Sequence, residues 1–327
     1  QGYYHGSIKL GGVQEMKRSS AINRKRIANY LRKYWTLYLM LSIPLAYFVV
    51  FRYIPMTYVQ IVFKKYSIVK SPWEMPWADN NGFEYFIKAF RNLDFLYALR
   101  NTLLLNFLDL VLGFPAPIIL ALLLNELPFP RFKRLTQSVA YLPHFLSWII
   151  IAGLAKQLFA PTNGMINIAL NRLGFESVPF LNDPVHWVFT YVFLGIWRNV
   201  GWNTIIYLAA LTNINPELYE ASAIDGANRW QNIRYITLPG LRPTIITLLI
   251  LALGQILSSE FDRPFALTNP LVNSVSQVIS IFVYRYGIRG LQFSLTTAVG
   301  LFQSLICVIF LMAANALAKR FGERGIW

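Results

Sequence analysis

Six stretches of this sequence are apolar over about 20 residues, the length at which a helix crosses the hydrocarbon core of a membrane. Only 14% of the 327 residues are charged, whereas roughly 25% are charged in soluble globular domains. A chain inside a bilayer has to satisfy its backbone hydrogen bonds internally, which favours helices. We therefore predict an all-α integral membrane protein with six transmembrane helices, near residues 34–51, 101–124, 138–159, 187–211, 243–259 and 295–318.

The basic residues indicate how these helices are oriented. The net charge of +15 would suit a nucleic-acid partner, but with both termini inside, 17 Lys and Arg residues fall on cytoplasmic segments and 9 on external ones. This distribution is the positive-inside bias of membrane proteins, and it removes the argument for nucleic acid. We predict a basic cytoplasmic segment over residues 1–34, a six-span domain over residues 35–318 and a cytoplasmic tail over residues 319–327.

The sequence offers no set of residues for catalysis or metal binding. Cys307 is the only cysteine, and the three histidines, His5, His144 and His186, are scattered. His144 follows a proline near the end of the third span, and we predict that it is a hydrogen-bonded packing residue. Residues 1–30 lack the apolar core of a cleaved signal peptide, so we expect the first span to direct membrane insertion.

A polar loop over residues 212–242 separates the fourth and fifth spans. Asn215 can cap a helix that begins at the following proline, and Gly226 permits the sharply turned backbone at which that helix ends. We predict a second short helix over residues 228–237, ended by Leu238-Pro239-Gly240. The apolar and small side chains of the loop suit a cleft in a partner protein. Packing on the loop's own bundle is the alternative.

Within this loop the sequence reads Glu-Ala-Ser-Ala-Ile-Asp-Gly-Ala from Glu220 to Ala227, followed by Leu238-Pro239. The pattern resembles the EAA loop of the permease subunits of ATP-binding-cassette (ABC) importers. The resemblance covers about residues 30–327 and is to permeases for oligosaccharides, of the polysaccharide or aldouronate type, with the larger permease subunits of bacterial alginate importers as one candidate group. Other segments that carry it are Tyr53-Ile-Pro-Met56, Gln60-Ile-Val-Phe-Lys64, Leu122-Leu-Leu-Asn-Glu126, Tyr141-Leu-Pro-His-Phe145, Gly195-Ile-Trp-Arg-Asn-Val-Gly-Trp202 and Gly300-Leu-Phe-Gln-Ser304.

The resemblance implies a type I importer fold, similar to that of maltose permeases, in the cytoplasmic (inner) membrane of a bacterium. It also implies a second permease subunit as heterodimer partner, an ATPase dimer and an extracytoplasmic solute-binding protein. The chain contains no Walker motif, so we expect no cofactor on it and expect ATP and Mg on the ATPase. The residues that the resemblance assigns to ATPase coupling are Glu220, Ala221, Ala223, Asp225, Gly226, Leu238 and Pro239.

Polar residues also recur at helical spacing within the spans, most clearly on one predicted face of the fourth span. Aromatic rings, amides and a guanidinium suit a sugar, and a guanidinium suits a carboxylate, so we expect an acidic oligosaccharide as substrate. Helix–helix contact is the alternative for each polar stripe, including a buried Arg198–Asp109 pair. The candidate residues of a substrate path are Asp109, Arg198, Asn199, Trp202, Asn203, Gln255 and Gln303.

Two other functional classes remain open at this point. An ion-coupled secondary transporter would use Asp109, Arg198 and Lys156 as its coupling charges, but it leaves the polar loop unexplained. A membrane-embedded enzyme would need a catalytic constellation in the spans, and the sequence shows no paired carboxylates, histidine cluster or Ser–His arrangement there.

Overall fold

The computed structural model describes residues 29–258 and 260–320, together with residues 322 and 325. Most of the basic lead predicted over residues 1–34, and most of the tail predicted over residues 319–327, lie outside the described residues. Helices predominate, and the β-structure among the described residues is a single bridge between Lys64 and Trp77. The α-helices are α1 (Trp35–Phe48), α2 (Ile54–Met56), α3 (Glu84–Arg91), α4 (Leu93–Leu108), α5 (Pro115–Asn125), α6 (Pro130–Tyr141), α7 (Trp148–Leu158), α8 (Met165–Arg172), α9 (Pro184–Leu211), α10 (Pro216–Ile224), α11 (Arg229–Asn232), α12 (Leu238–Leu253), α13 (Asp262–Leu267), α14 (Asn273–Ser276), α15 (Ile279–Phe282) and α16 (Phe293–Arg320).

Wider and tighter helical turns join several of these helices. π-helical turns are wider because their hydrogen bonds span five residues, and 3-10 turns are tighter because theirs span three. The π-helical segments are Val49–Tyr53, Asp109–Gly113, Ile233–Thr237 and Val283–Arg289, and the 3-10 segments are Thr57–Phe63, Asn80–Gly82, Leu142–Phe145 and Pro270–Val272. The chain divides into two compact units between Gln60 and Ile61. The first contains α1 and α2, and the second contains all later helices.

Four continuous helical runs are long and apolar enough to cross a membrane, namely Trp35–Phe63, Leu93–Asn125, Arg229–Leu253 and Phe293–Arg320. A fifth candidate is a pair of helices, Pro130–Phe145 and Trp148–Leu158, bent by 102°. The fourth predicted span is α9. It has 28 residues, which is long enough to cross a membrane, but it is less apolar than these helices. The predicted all-helical membrane architecture is confirmed, and the count of six spans stays a prediction.

The third predicted span is not a continuous helix, which corrects the sequence-based expectation. After α6 the chain forms the 3-10 turn Leu142–Phe145, and Leu146 is extended with ψ of 136°. Pro143 lacks a backbone N–H, which explains why the regular bonding of the helix stops here. Ser147 then starts α7, because its hydroxyl oxygen accepts a hydrogen bond from the Ile150 N–H at 3.3 Å.

Two proline-containing regions behave differently, because a π turn precedes the prolines. In the second span the Phe114 N–H donates to the Asp109 carbonyl at 3.0 Å, and the helix then resumes at Pro115. In the polar loop the turn Ile233–Thr237 leads directly into α12. The prediction that Leu238-Pro239-Gly240 ends the loop helix is therefore wrong. The wide turn changes the bonding register just before the proline, so the missing N–H does not stop the helix.

The buried core of the second unit is arranged around α9. Trp187 and Tyr191 stack at 4.9 Å between ring centroids and pack against Trp148 and Ile151 of α7. A second cluster surrounds Phe95 at the start of the second span, and a third surrounds Tyr207 at the other end of α9. Helix α9 thus contributes to the packing at both of its ends.

A glycine in α9 allows α6 to approach closely. A Cβ atom on Gly201 would lie 2.1 Å from the Ala140 carbonyl oxygen, and backbone atoms cannot move aside as a flexible side chain can. We expect Gly201→Ala to destabilise the protein by about 1–3 kcal/mol. The control is Gly153→Ala in α7, where a Cβ atom would meet nothing within 4 Å. Thermal unfolding of the purified protein in detergent measures both, and equal midpoints would contradict the close approach of α6.

Candidate functional site

A cavity of about 410 Å³ lies inside the second unit, between the second predicted span, α9 and α12. Much of its wall is apolar, with residues such as Leu110, Ile196 and Leu248. The wall also carries amides and one pair of opposite charges, and ionisable groups inside a membrane protein indicate a functional surface. These polar lining residues are Asn106, Asp109, Asn199, Asn203, Gln255, Ser258 and Arg263.

The charged pair in this wall joins Asp109 to Arg263. Nη1 of Arg263 lies 2.6 Å from Oδ2 of Asp109, and Nη2 lies 3.2 Å from Oδ1, so the two groups meet along one edge. The alternative of a buried Arg198–Asp109 pair is therefore wrong. Arg263 was placed in an external loop by the sequence, whereas the short helix α13 carries its guanidinium into the core, leaving the residue 6% exposed.

Arg263 is held on several sides. Its Nη2 donates to the Tyr191 carbonyl at 2.6 Å, and its guanidinium carbon lies 3.6 Å from the centroid of the Tyr191 ring. The Trp148 ring is 5.4 Å away on another side. A Cβ atom on Gly195 would lie 2.2 Å from Nη2, so only a glycine leaves room for the guanidinium. Rings and backbone together fix the cation against the cavity wall.

The polar stripe of α9 separates into two rows. Gly195, Asn199 and Asn203 line the cavity, as the sequence predicts for a path. Arg198 and Trp202 are not among the residues that line it, and they contact the bend between α6 and α7 instead. Residues 198 and 202 lie one residue ahead of 199 and 203, and a step of one residue turns a helix by about 100°. This rotation explains why one predicted face serves two neighbours.

The bend is bonded to the second row. Nε of Arg198 donates to the Leu146 carbonyl at 3.2 Å, which satisfies an acceptor that the broken helix leaves free. The His144 ring stacks on Trp202 with 4.6 Å between centroids and 2° between planes, and its Nδ1 lies 3.3 Å from Oδ1 of Asn199. His144 thus has the hydrogen-bonded packing position that the sequence predicts. For Arg198 and Trp202 the geometry favours a structural role over direct contact with the cavity.

Trp148 connects the bend to the segment that follows α12. Its Nε1 donates to Oε1 of Glu260 at 2.6 Å, and the Arg198 guanidinium lies 4.8 Å from its ring centroid. Glu260 is also 3.9 Å from Nη1 of Arg198, which is a loose ion pair. The guanidinium groups of Arg198 and Arg263 are therefore both in contact with the ring of Trp148.

The remaining path candidates lie in two places. Gln255 lines the cavity, just beyond the end of α12 at Leu253. Gln303 does not line it; its Nε2 donates to the Leu257 carbonyl at 2.8 Å. Together with Thr296 and Gly300 it borders a second cavity of about 520 Å³, which is lined mainly by apolar and aromatic groups of α15, α16 and the turn after α15. Ser259 lies outside the described residues.

Sequence reasoning missed Arg263, although its side chain is buried in the cavity wall and pairs with Asp109. Helical periodicity could not have found it, because α13 has only 6 residues and lies in a connection counted as external. Asp109, a candidate from the sequence, lies three and four residues from Asn106 and Gly113 on one helical face, and all three line the cavity. Among the described residues no group of three or more His, Cys, Asp or Glu side chains is placed to hold a metal ion.

The polar loop is well defined in the structure. Asn215 caps α10 by accepting a hydrogen bond from the Glu217 N–H at 3.1 Å. The helix ends in a Schellman motif, with Gly226 at φ of +75° and the Ala227 N–H bonded to the Ser222 carbonyl at 2.9 Å. Asn228 begins α11 with a capping box. The predicted helix start and glycine turn are thus as the sequence indicates.

The residues assigned to coupling are all exposed in this loop. Ser222, which lies between Ala221 and Ala223 and is not assigned to coupling, is half-buried, and its hydroxyl donates to the Tyr219 carbonyl. Large apolar side chains also project outward, with Ile224 at 88% and Trp230 at 74% exposure. The exposed coupling candidates are Glu220, Ala221, Ala223, Asp225, Gly226, Leu238 and Pro239.

A hydrogen bond connects α10 to the turn that leads into α12. The Tyr219 hydroxyl lies 2.9 Å from the hydroxyl of Thr237, which is fully buried at the end of the π turn before α12. On the cavity side, α12 contributes Leu248 and Ala252 to the wall. The exposed loop and the cavity are therefore joined by one continuous helix.

An all-helical membrane chain with an internal polar cavity and an exposed two-helix loop has the architecture of a transport permease. The family model described as binding-protein-dependent transport system inner membrane component matches residues 98–323. The chain is 43% identical over 291 residues to Protein LplB of Bacillus subtilis (strain 168), covering 89% of this chain and 91% of that protein. It is 40% identical over 308 residues to the polygalacturonan/rhamnogalacturonan transport system permease protein YteP of the same organism, covering 93% and 94%.

Solved structures give the same answer. The chain matches one in the crystal structure of a bacterial ABC transporter involved in the import of the acidic polysaccharide alginate, with a TM-score of 0.82 and 37% identity, covering 90% of this chain and 99% of that one. It also matches one in a bacterial alginate ABC transporter in complex with an alginate pentasaccharide-bound periplasmic protein, with a TM-score of 0.83 and 36% identity, covering 92% and 100%.

This chain belongs to the family of binding-protein-dependent transport system inner membrane components. It is a permease subunit of an ABC importer with the type I fold, a transport component and not an enzyme. The family assignment contradicts both the secondary-transporter and the membrane-enzyme hypotheses. Lys156 is one of the coupling charges of the secondary-transporter hypothesis. It is exposed in the structure and is not part of the Asp109–Arg263 pair.

The close contact between Gly195 and the Arg263 guanidinium gives a prediction about stability. We expect Gly195→Ala to displace the guanidinium and to destabilise the protein by about 1–3 kcal/mol, as overpacking does. Gly300→Ala in α16 is the control, since a Cβ atom there meets nothing within 4 Å. Thermal unfolding is measured for both variants, and the measurement is repeated in an Arg263→Gln background. There the fall in unfolding midpoint caused by Gly195→Ala should be smaller, because residues 195 and 263 interact. An undiminished effect would mean that Gly195 accommodates something other than Arg263.

Proposed function

We propose that this chain moves an acidic oligosaccharide into the cytoplasm through the cavity between the second span, α9 and α12. The observation that carries the proposal is the cavity wall, where amides and a charged pair lie among apolar side chains. YteP is named for the transport of polygalacturonan and rhamnogalacturonan, and the solved importers carry alginate, all of them acidic polysaccharides. AraP of Bacillus subtilis, 29% identical over 240 residues, is named for arabinooligosaccharides.

The amides of the wall are suited to sugar hydroxyls. Asn203 and Gln255 line the cavity, and neither side chain forms a hydrogen bond with another described residue. An amide has both donors and an acceptor, so each can exchange bonds with hydroxyl groups of a passing sugar. Asn106 is different, because its amide nitrogen is already bonded to the carbonyls of Ile256 and Ser258. Asn203 and Gln255 are therefore the side chains that we expect to contact hydroxyls.

The subunit works with other chains in this proposal. Its partners are a second, non-identical permease subunit, an ATPase dimer that holds ATP and Mg, and an extracytoplasmic solute-binding protein that delivers the sugar. The exposed loop over residues 212–242 meets the ATPase, with the apolar Ile224 and Trp230 as candidate contacts. Movement of the loop is passed through the Tyr219–Thr237 bond to α12 and so to the cavity wall.

The proposed topology has six spans, with α9 as the fourth, and both termini in the cytoplasm. This places α10 inside and the connection that contains α13 at the outer side. We expect reporter fusions after Pro130, Asn213 and Arg324 to read as cytoplasmic, and fusions after Asn80, Gly174 and Asn273 to read as external. An external reading at Asn213 would contradict ATPase docking at the loop.

The coupling role of the loop gives a second prediction. Gly226→Val places a β-branched residue at φ of +75°, where left-handed backbone costs roughly 1–2 kcal/mol per residue, and Glu220→Lys reverses an exposed charge. Both changes should leave the protein inserted in the membrane while abolishing ATP hydrolysis that the binding protein stimulates. The measurement is ATPase activity of the purified complex in proteoliposomes, with and without binding protein.

Matched controls separate coupling from general damage. Gly174→Val introduces the same strain at φ of +84°, in the connection after α8, with no atom within 4 Å of the new Cβ. Ser222→Ala changes a residue of the loop that is not assigned to coupling. Both controls should retain stimulated hydrolysis. If Gly226→Val and Glu220→Lys retain it as well at normal expression, residues 212–242 are not the coupling element.

A further inference from the structure

We propose that Asp109 is a built-in counterpart of the substrate's carboxylate, and that a uronate of the passing oligosaccharide exchanges with it on Arg263. The inference rests on the proposed function, since it concerns the same cavity and names the residue that selects for acidic sugars. It assigns the selecting cation to Arg263 and not to Arg198, whose guanidinium faces Leu146 and Trp148 outside the cavity lining.

The first step of the argument is that Arg263 is the fixed member of the pair. Its guanidinium is enclosed by the Tyr191 ring, the Tyr191 carbonyl and the backbone at Gly195. The residue is 6% exposed, and its side chain borders the cavity. A cation held in this way is pre-organised for an anion that arrives from the cavity.

The second step is that Asp109 is the movable member. Its side chain is 31% exposed, compared with 7% for that of Arg263. The carboxylate is bonded to Arg263 and to no other described side chain. Asp109 also begins the π turn that precedes Pro115, a type of wide turn that is frequent at functional sites. A change of rotamer would carry the carboxylate away from Arg263 without breaking another contact.

The third step concerns the donors of Arg263. A guanidinium has five N–H donors, and it binds a carboxylate best through two parallel bonds along one edge. Asp109 occupies the edge formed by Nη1 and Nη2, and Tyr191 takes a further Nη2 donor. The other edge, formed by Nε and Nη2, is not open to a second carboxylate, because Nε is buried and the Nη2 donor beside it is bonded to the Tyr191 carbonyl. An incoming carboxylate can therefore form the paired bonds only by taking the place of Asp109.

This exchange would make the cavity selective by charge. With Asp109 on Arg263 the pair is neutral, so an uncharged sugar gains nothing from the cation. A uronate replaces one carboxylate with another of the same charge and geometry, and the released Asp109 carboxylate, whose side chain is 31% exposed, is hydrated by water in the cavity. A neutral sugar that displaced Asp109 would leave the buried cation without an anion, which is unfavourable. The cavity thus accepts acidic units and is indifferent or unfavourable to neutral ones at this position.

The test uses two sugars that differ only in their carboxylates. The probes are an oligogalacturonate and the same oligosaccharide after chemical reduction of its carboxyl groups to alcohols. Equilibrium binding to the purified full transporter in detergent, without the binding protein, is measured by calorimetry for each probe. For Asp109→Asn, which removes the competing carboxylate, we expect binding of the oligogalacturonate to tighten about tenfold, while binding of the reduced probe stays unchanged.

The double variant Asp109→Asn/Arg263→Gln keeps the test decisive if the single variant does not assemble. It replaces the pair by two neutral amides, which buried sites tolerate better than one stranded charge. In the double variant, the ratio of the affinity for the oligogalacturonate to the affinity for the reduced probe should fall to about 1. The controls are Asp183→Asn, which retains a good helix cap, and Arg285→Gln in the turn after α15; both should keep the wild-type preference.

Three results would overturn the proposal. One is a double variant that assembles and still prefers the acidic probe, and another is an Arg198→Gln variant that alone removes the preference. The third is a wild-type transporter that binds both probes equally, which would leave a saccharide permease but no charge selection at Arg263. Failure of the wild-type transporter to bind either probe would instead remove the proposed function, and this inference with it.

Discussion

The pair between Asp109 and Arg263 joins two parts of the chain that are 154 residues apart in sequence. Because the charge of Arg263 is removed from bulk water, the pair persists only where hydrogen bonds and rings satisfy the guanidinium on its other sides. Tyr191 supplies a carbonyl and a ring, and Gly195 leaves the space. The position of α9, the turn in the second span and the connection after α12 are all constrained by this one contact.

The breaks in the helices have a common logic. A wide turn or a bend frees backbone groups and redirects the chain, and within a membrane these groups need partners from neighbouring helices. At the bend between α6 and α7 the partner is Arg198, which satisfies the Leu146 carbonyl. At the turn before α12 the Thr237 hydroxyl donates to the Asn232 carbonyl at the start of the same turn and also meets Tyr219 of α10. At these two breaks the chain is thus bonded to another helix, α9 at the bend and α10 at the turn.

The likeness to sugar importers and the geometry of the cavity support each other but answer different questions. Family membership and the type I fold follow from the match over residues 98–323 and from the solved alginate importers. They do not say which side chains meet the sugar. That question depends on local contacts, where Asn203 and Gln255 have free amides while Gln303 is engaged with Leu257. Residues with similar chemistry on the same predicted stripes therefore differ in what they can bind.

The sequence by itself determined the helical membrane architecture, the two-helix loop with its turn at Gly226, and the candidates Asp109, Asn199, Asn203 and Gln255 that line the cavity. Each of these depends on hydropathy, helical spacing or a backbone angle, which are local properties of the chain. Only the tertiary structure decided that Arg263 pairs with Asp109, that the third span bends by 102°, and that the polar face of α9 divides between cavity and bend. These features depend on which distant groups meet, and a sequence pattern within one helix carries no record of the neighbour that packs against it.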